Sequence, residues 1–215
     1  MSPRQRACLA GVVGAVALAV TACAGNTPEN PAAEDPPIQG DSPSADPEGA
    51  GADVSFDFPS GWVNLSESDL EPAAEQTLNT LAEAAGLEAE ELHANAQTAD
   101  MFLVDPDFDD PAMPNNILVN HEPGDAVDGL PTEEEMAALF DDYGLTDEGY
   151  GERSGPIGEV VYGLAHGSAE GIEQHLGMVF TFNDAGDLVI VTVSVDNPAD
   201  QNEITQTIAG SIEDT

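Results

Sequence analysis

Three aspartates at alternate positions are the first group of side chains that could do chemistry. Asp105, Asp107 and Asp109 stand at i, i+2 and i+4, the spacing of the first three carboxylate ligands in a calcium-binding loop. The sixth and twelfth positions of an EF-hand loop need Gly and Glu, but they are Asp110 and Asn116 in this sequence. The pattern favours a solvated acidic loop, and a weak calcium site is the alternative.

Two histidines are the second group. His166 and His175 lie about equally far from a predicted turn, so a regular hairpin would bring them face to face on adjacent strands. With Glu173 nearby they could bind zinc or copper. A closed zinc site takes four ligands, and the other two histidines, His93 and His121, belong to other predicted elements. Solvent-facing strand positions are the simpler interpretation, and we expect no metal cofactor.

The sequence shows no motif for covalent or phosphoryl-transfer catalysis. It contains neither a Gly-x-Ser-x-Gly nucleophile elbow nor a glycine-rich phosphate loop. With 42 acidic residues, some pair of carboxylates will always resemble an acid and base set, so spacing cannot single one out. We therefore expect a protein that is not an enzyme.

The segment that precedes Cys23 has the layout of a secretory signal peptide. Residues 1–22 combine a basic start, a fourteen-residue apolar run over Ala7–Val20 and small residues before the cysteine. That run is shorter than the roughly 20 residues that cross a bilayer. Val20-Thr21-Ala22-Cys23 resembles the bacterial lipobox, which implies cleavage before Cys23 and a thioether to diacylglycerol. A secreted protein with an unmodified cysteine is the alternative.

A lipid on Cys23 would hold the chain on the outer face of the cytoplasmic membrane. Two acyl chains, at about 0.8 kcal/mol per buried methylene, suffice for lasting attachment. Cys8 would leave with the signal, so the mature chain would contain no disulfide. The membrane is thus the first expected partner, reached through lipid.

The mature sequence is strongly acidic. It keeps Arg153 as its only arginine, has no lysine, and retains all 42 acidic residues. Phosphate backbones and anionic headgroups are bound through Lys and Arg, so the composition argues against nucleic-acid binding and against docking on lipid through protein charge. The spread of the acids favours a surface kept soluble at high salt, and attraction of a cationic partner is the alternative.

The chain divides into three regions. After the signal at 1–22, residues 23–52 form a Pro-rich acidic stretch without aromatic residues, which predicts a disordered tether behind the lipidated cysteine. Residues 53–215 contain the periodic patterns of a folded domain. The predicted elements are a strand at Val54–Phe58, helices at Leu70–Ala85 and Leu87–His93, strands at Met101–Val104 and Asn116–Val119, a helix capped by Thr132 with Glu135, strands at Glu159–His166, Glu173–Phe182 and Leu188–Val195, and a helix capped by Asn197.

Helices before and after a run of antiparallel strands predict an α+β fold, an antiparallel sheet with helices packed on its faces. The last three strands should form a meander joined by turns at Gly167–Gly171 and Asn183–Gly186. Trp62, directly after a turn, is expected to anchor the core.

Two stretches at the ends of this region resemble the PsbP-like fold family. They are Phe58-Pro59-Ser60-Gly61-Trp62 and Ile208-Ala209-Gly210-Ser211-Ile212, and the Asn115–Val119 strand, the capped helix, Gly155–Val160 and the Asp184–Gly186 hairpin tip extend the likeness. Within the family the sequence is most similar to LpqN- and LpqT-type lipoproteins of actinobacteria. The resemblance implies an α/β/α sandwich over about residues 53 to 213 and binding or assembly modules without a shared active site.

We therefore expect a lipid-anchored, non-catalytic module that binds an envelope partner or an apolar ligand, in a cleft between sheet and helices. An envelope-modifying hydrolase is one alternative, and it would show histidine clustered with Asp or Ser in a pocket. A lipid or glycolipid carrier is another, and it would need a cavity large enough for an acyl chain.

Overall fold

A computed structural model describes residues 53–108, 111, 113–169 and 172–215. The predicted signal, the lipidation site Cys23, the tether and Asp109 lie outside the described residues. The helices and strands are β1 (Val54–Ser55), β2 (Val63–Asn64), α1 (Pro72–Ala85), α2 (Ala89–Ala96), β3 (Met101–Val104), β4 (Asn116–Glu122), α3 (Glu133–Asp142), β5 (Thr146–Gly155), β6 (Gly158–Ala169), β7 (Ile172–Phe182), β8 (Leu188–Val195), α4 (Pro198–Ser211) and β9 (Glu213–Asp214).

Seven strands form one antiparallel sheet in the order β2-β3-β4-β8-β7-β6-β5. The predicted meander is confirmed as β6-β7-β8, and β4 joins it at β8. A separate two-stranded sheet pairs β1 with β9, with Val54 opposite Asp214. The fold is therefore α+β, as the sequence predicts.

Strand β8 forms the centre of the core, and each of its eight residues is buried. A strand that is buried along its whole length needs cover on both faces of the sheet. One face, with Val191 and Val193, packs against Ile204 and Ile208 of α4. The opposite face packs against α3 through one apolar cluster, and against α1 and α2 through a second. Trp62 packs against the α4 side of the core, as expected.

Local sequence features set the helix boundaries. Thr132 and Glu135 form the predicted capping box at the start of α3. The Asn197 side chain accepts a hydrogen bond from the Ala199 backbone N–H at the start of α4. Gly86 ends α1 with φ of 68°, a left-handed conformation that glycine adopts without steric cost. No helix in the described part of the chain is long and apolar enough to span a membrane.

Helix α4 approaches the sheet closely at Gly177. A methyl group added at Gly177 of β7 would overlap the hydroxyl oxygen of Thr205, so the missing side chain allows the approach. The buried Gln201 side chain donates from Nε2 to the carbonyl oxygens of Ala165 and Leu176, at 2.9 and 2.8 Å. Because these two residues are opposite each other on β6 and β7, Gln201 links the helix to both strands.

The strands differ from the prediction in several places. Strand β5 was not predicted, because Thr146–Gly155 is acidic and glycine-rich, and pairing with β6 makes it a strand. The predicted strand Val54–Phe58 was wrong in extent: β1 ends at Ser55, and Phe58 is 41% exposed. The predicted turn at Gly167–Gly171 was too long, because β6 runs to Ala169 and β7 begins at Ile172.

Candidate functional site

Asp105 and Asp107 are the two members of the aspartate group that the structure describes. The Asp105 Oδ1 atom accepts a hydrogen bond from the Asp107 backbone N–H at 3.0 Å, which turns this carboxylate back onto its own loop. The backbone N–H of Asp105 donates to the Asn115 carbonyl at 3.0 Å and so ties the two ends of the loop together. Within residues 53–108, 111, 113–169 and 172–215, no group of three or more His, Cys, Asp or Glu side chains is arranged to hold a metal ion.

The two histidines do face each other across neighbouring strands. His166 of β6 is opposite His175 of β7, with ring centroids 6.2 Å apart. The expectation that both face solvent was wrong for His175, whose side chain is only 13% exposed, against 40% for His166.

Glu148, and not Glu173, is the carboxylate nearest to these rings. Its Oε1 lies 3.1 Å from Nδ1 of His166, and its Oε2 lies 3.9 Å from Nδ1 of His175. The register of β5 against β6 shifts between Asp147 and Gly149, so Glu148 is the extra residue of a bulge. Both Nδ1 atoms are buried, and neither makes a hydrogen bond with the described residues.

A cleft lies where the ends of β7 and β8 meet the loop between β3 and β4. The loop between β3 and β4, the start of β7 and the end of β8 enclose about 200 Å³. The lining residues are Asp107, Phe108, Met113, Pro114, Asn115, Glu173, Gln174, Ser194, Val195 and Asp196. None of them belongs to a helix, so this cleft differs in position from the expected one between sheet and helices. The space under the helices is filled by buried apolar side chains.

The cleft combines three kinds of side chain. Asp107, Glu173 and Asp196 supply carboxylates, and Phe108 and Met113 supply apolar surface. A smaller set supplies amides and a hydroxyl: the Gln174 Nε2 donates to the Ser194 hydroxyl oxygen, and the Asn115 Oδ1 accepts from the Asp196 backbone N–H at 3.0 Å. These bonds tie the start of β7, the end of β8 and the loop into one frame.

The cleft has no positive side chain among its lining residues. Arg153, the only arginine after residue 22, donates from Nη1 to the Gln206 carbonyl at 2.6 Å, near the end of α4. Arg153 is opposite Val160 at the start of β6, whereas Glu173 is opposite Ser168 near its end. Eight residues of strand separate them by about 26 Å. That exceeds the Debye length of about 8 Å at physiological salt, so Arg153 does not neutralise the cleft.

Sequence reasoning singled out only Asp107 and Glu173 among the lining residues. The others come from three segments separated by tens of residues, and no local spacing relates them. Glu148 was missed for a similar reason, because its position depends on a strand and a bulge that the sequence did not predict. Comparison of the chain with protein-family models and with curated proteins returns no match.

Proposed function

We propose that this chain is a lipid-anchored protein of the cell surface whose folded domain is a non-catalytic binding or assembly module for an envelope partner. The observation that carries the proposal is the cleft, which combines apolar and polar side chains on the frame of β7 and β8. A concave, partly apolar surface with a few converging polar groups is the usual form of a binding site. The lipobox ending at Cys23 supports the position at the membrane.

The order of the elements supports the resemblance to PsbP-like proteins. The domain places helices on both faces of an antiparallel sheet, and the stretches that carry the likeness flank it at β2 and at the end of α4. We propose membership of this family on that basis, and with it a role in binding or assembly.

The placement of the histidines disfavours the hydrolase alternative. His121 pairs with Asp100, but its side chain is 52% exposed and neither residue lines the cleft. His166 and His175 contact Glu148 outside the cleft. Hydrolysis by a histidine base needs the nucleophile and base together in a site that receives the substrate. The described residues supply no such set at the cleft.

The size of the cleft disfavours the carrier alternative. At about 200 Å³ it is smaller than the roughly 300–1,000 Å³ of sites that enclose a drug-sized ligand. An acyl chain would need a long apolar tunnel, whereas this cleft has carboxylates in its wall. The site suits part of a partner better than a whole lipid.

Metabolic labelling with a palmitate analogue tests the anchor. We expect label on the wild-type chain and on Cys8→Ala, and none on Cys23→Ala. The Cys8 variant is the matched control, because it removes the other cysteine and leaves the lipobox intact. Label that survives Cys23→Ala would overturn the anchor.

Crosslinking in intact cells tests the binding role. A photoreactive amino acid placed at Met113, in the cleft, should give a discrete protein adduct, and the same residue at exposed Asp184 should not. Asp184 is a suitable control because it lies at the opposite end of β8. The binding role fails if no adduct forms at Met113, or if both positions give the same adducts.

A further inference from the structure

We infer that the cleft receives a basic side chain, a Lys or Arg carried by an extended segment of a partner protein. This inference rests on the proposed binding role and names the chemistry of the partner. It also chooses between the two interpretations of the acidity for this one part of the surface, where a cationic partner is favoured over salt adaptation alone.

The charge of the cleft sets the sign of the ligand. Asp107, Glu173 and Asp196 are exposed residues that line the cleft, and none of its other lining residues carries a positive charge. Among the described residues the only Lys or Arg is Arg153, which lies far along β6. A cationic group carried by a partner would therefore complement the charge of the cleft. An anionic ligand would be repelled by the three carboxylates.

The apolar lining indicates a side chain in preference to a bare ion. A metal ion needs oxygen ligands on several sides, but Phe108, Met113, Pro114 and Val195 occupy much of the wall. The stems of Lys and Arg are apolar while their ends are charged, so they match a wall that is apolar in part and acidic in part. The guanidinium group can also stack on the ring of Phe108.

The polar groups and the volume agree with this occupant. The Gln174 side chain donates through Nε2 to Ser194, and its Oε1 can accept a hydrogen bond from a guanidinium or ammonium group. The roughly 200 Å³ of space is enough for one long side chain and too little for a bulky ligand. A segment crossing the mouth of the cleft would thus insert one residue and keep its backbone outside.

Peptide titration on the mature full-length protein in detergent tests the inference. The probe is the peptide acetyl-Gly-Ser-Arg-Ser-Gly-amide, and its control has citrulline, which is nearly isosteric with arginine but uncharged. Isothermal titration calorimetry should show binding of the arginine peptide and at least about fivefold weaker binding of the citrulline peptide. Equal affinity of the two peptides would overturn the inference.

Paired variants separate the cleft from the general acidity of the surface. Asp196→Asn and Asp184→Asn each remove one exposed aspartate next to an end of β8, but only Asp196 lines the cleft. We expect Asp196→Asn to weaken binding of the arginine peptide by more than about twofold, its combination with Glu173→Gln by about fivefold or more, and Asp184→Asn by less than about twofold. Similar losses at Asp184 and Asp196 would mean diffuse attraction and would overturn the inference.

Two further measurements keep the outcome interpretable. Thermal melts of each variant identify any loss of peptide binding that is caused by unfolding. If Asp196→Asn or Glu173→Gln unfolds, Asp107→Asn serves as the second cleft variant. Titration with calcium alone should give no heat that depends on Asp107, and calcium heat abolished by Asp107→Asn would assign the cleft to a metal ion and overturn the inference. If Met113 crosslinks in cells but the arginine peptide does not bind, the inference fails while the binding role stands.

Discussion

His121 and Asp100 form a close pair beside the end of the sheet, with Nδ1 of the histidine 2.6 Å from Oδ2 of the aspartate. The Asp100 backbone N–H donates to the Val119 carbonyl, two residues before His121 on β4, and so holds the carboxylate in place. The hydrogen bond to Asp100 raises the pKa of His121 above 6.5, against the opposing effect of partial burial. The charges of Asp100, Asp187 and Asp53 add to the increase.

Replacing Asp100 with Asn should lower the pKa of His121. The raised pKa means that this pair stabilises the fold fully below the unfolded-state pKa of about 6.5, and that its contribution is lost as pH rises through the higher folded-state value. NMR titration of the imidazole resonances measures the shift directly. The free energy of unfolding in urea should change less between pH 6 and pH 9 for Asp100→Asn than for the wild type. An unchanged His121 titration would contradict the assignment.

Gly177→Ala should destabilise the domain by about 1–3 kcal/mol, because the new methyl group would overlap the Thr205 hydroxyl and push α4 away from β7. The matched test is a double-mutant cycle with Thr205→Ala, which removes the overlapping atoms. In that background Gly177→Ala should cost less, with a coupling energy of at least about 0.5 kcal/mol by chemical denaturation. Strict additivity would show that the two residues do not set the helix position.

Gln201→Met should cost about 1–3 kcal/mol, because it keeps the length of the side chain but leaves the carbonyls of Ala165 and Leu176 without their donor. Gln206→Met is the control on the same helix, since the Gln206 side chain is exposed and donates only to Asn202. Its cost should stay within about 0.5 kcal/mol. Equal melting temperatures for the two variants would count against a linking role for Gln201.

Thr132→Ala should remove the side-chain acceptor at the start of α3 and cost about 1 kcal/mol. Thr132→Ser keeps the hydroxyl and should retain most of the stability. The hydrogen bond from the Thr132 backbone lowers the pKa of Glu135, so the contribution of this carboxylate is present above its unfolded-state pKa and is lost as pH falls through the lower folded-state value. Denaturation of both variants at neutral pH checks the cap, and equal losses for Ala and Ser would contradict it.

Features that depend on neighbouring residues were predictable from the sequence. The Thr132 cap, the Asn197 cap and the strands β6 to β8 all follow from local spacing, and the structure places them as expected. Strand β5 was not predictable in this way, because its residues favour a loop when considered alone. Only hydrogen bonding to β6 compensates for its low strand propensity.

The sequence by itself determined the α+β class and the acidic character of the chain, because apolar periodicity and composition need no knowledge of distant contacts. It also placed His166 opposite His175, since a hairpin relates positions across one turn. The tertiary structure alone decided that Glu148 meets these histidines and that Asp107, Glu173 and Asp196 share a cleft. Those relationships join separate segments of the chain, and packing between elements sets them.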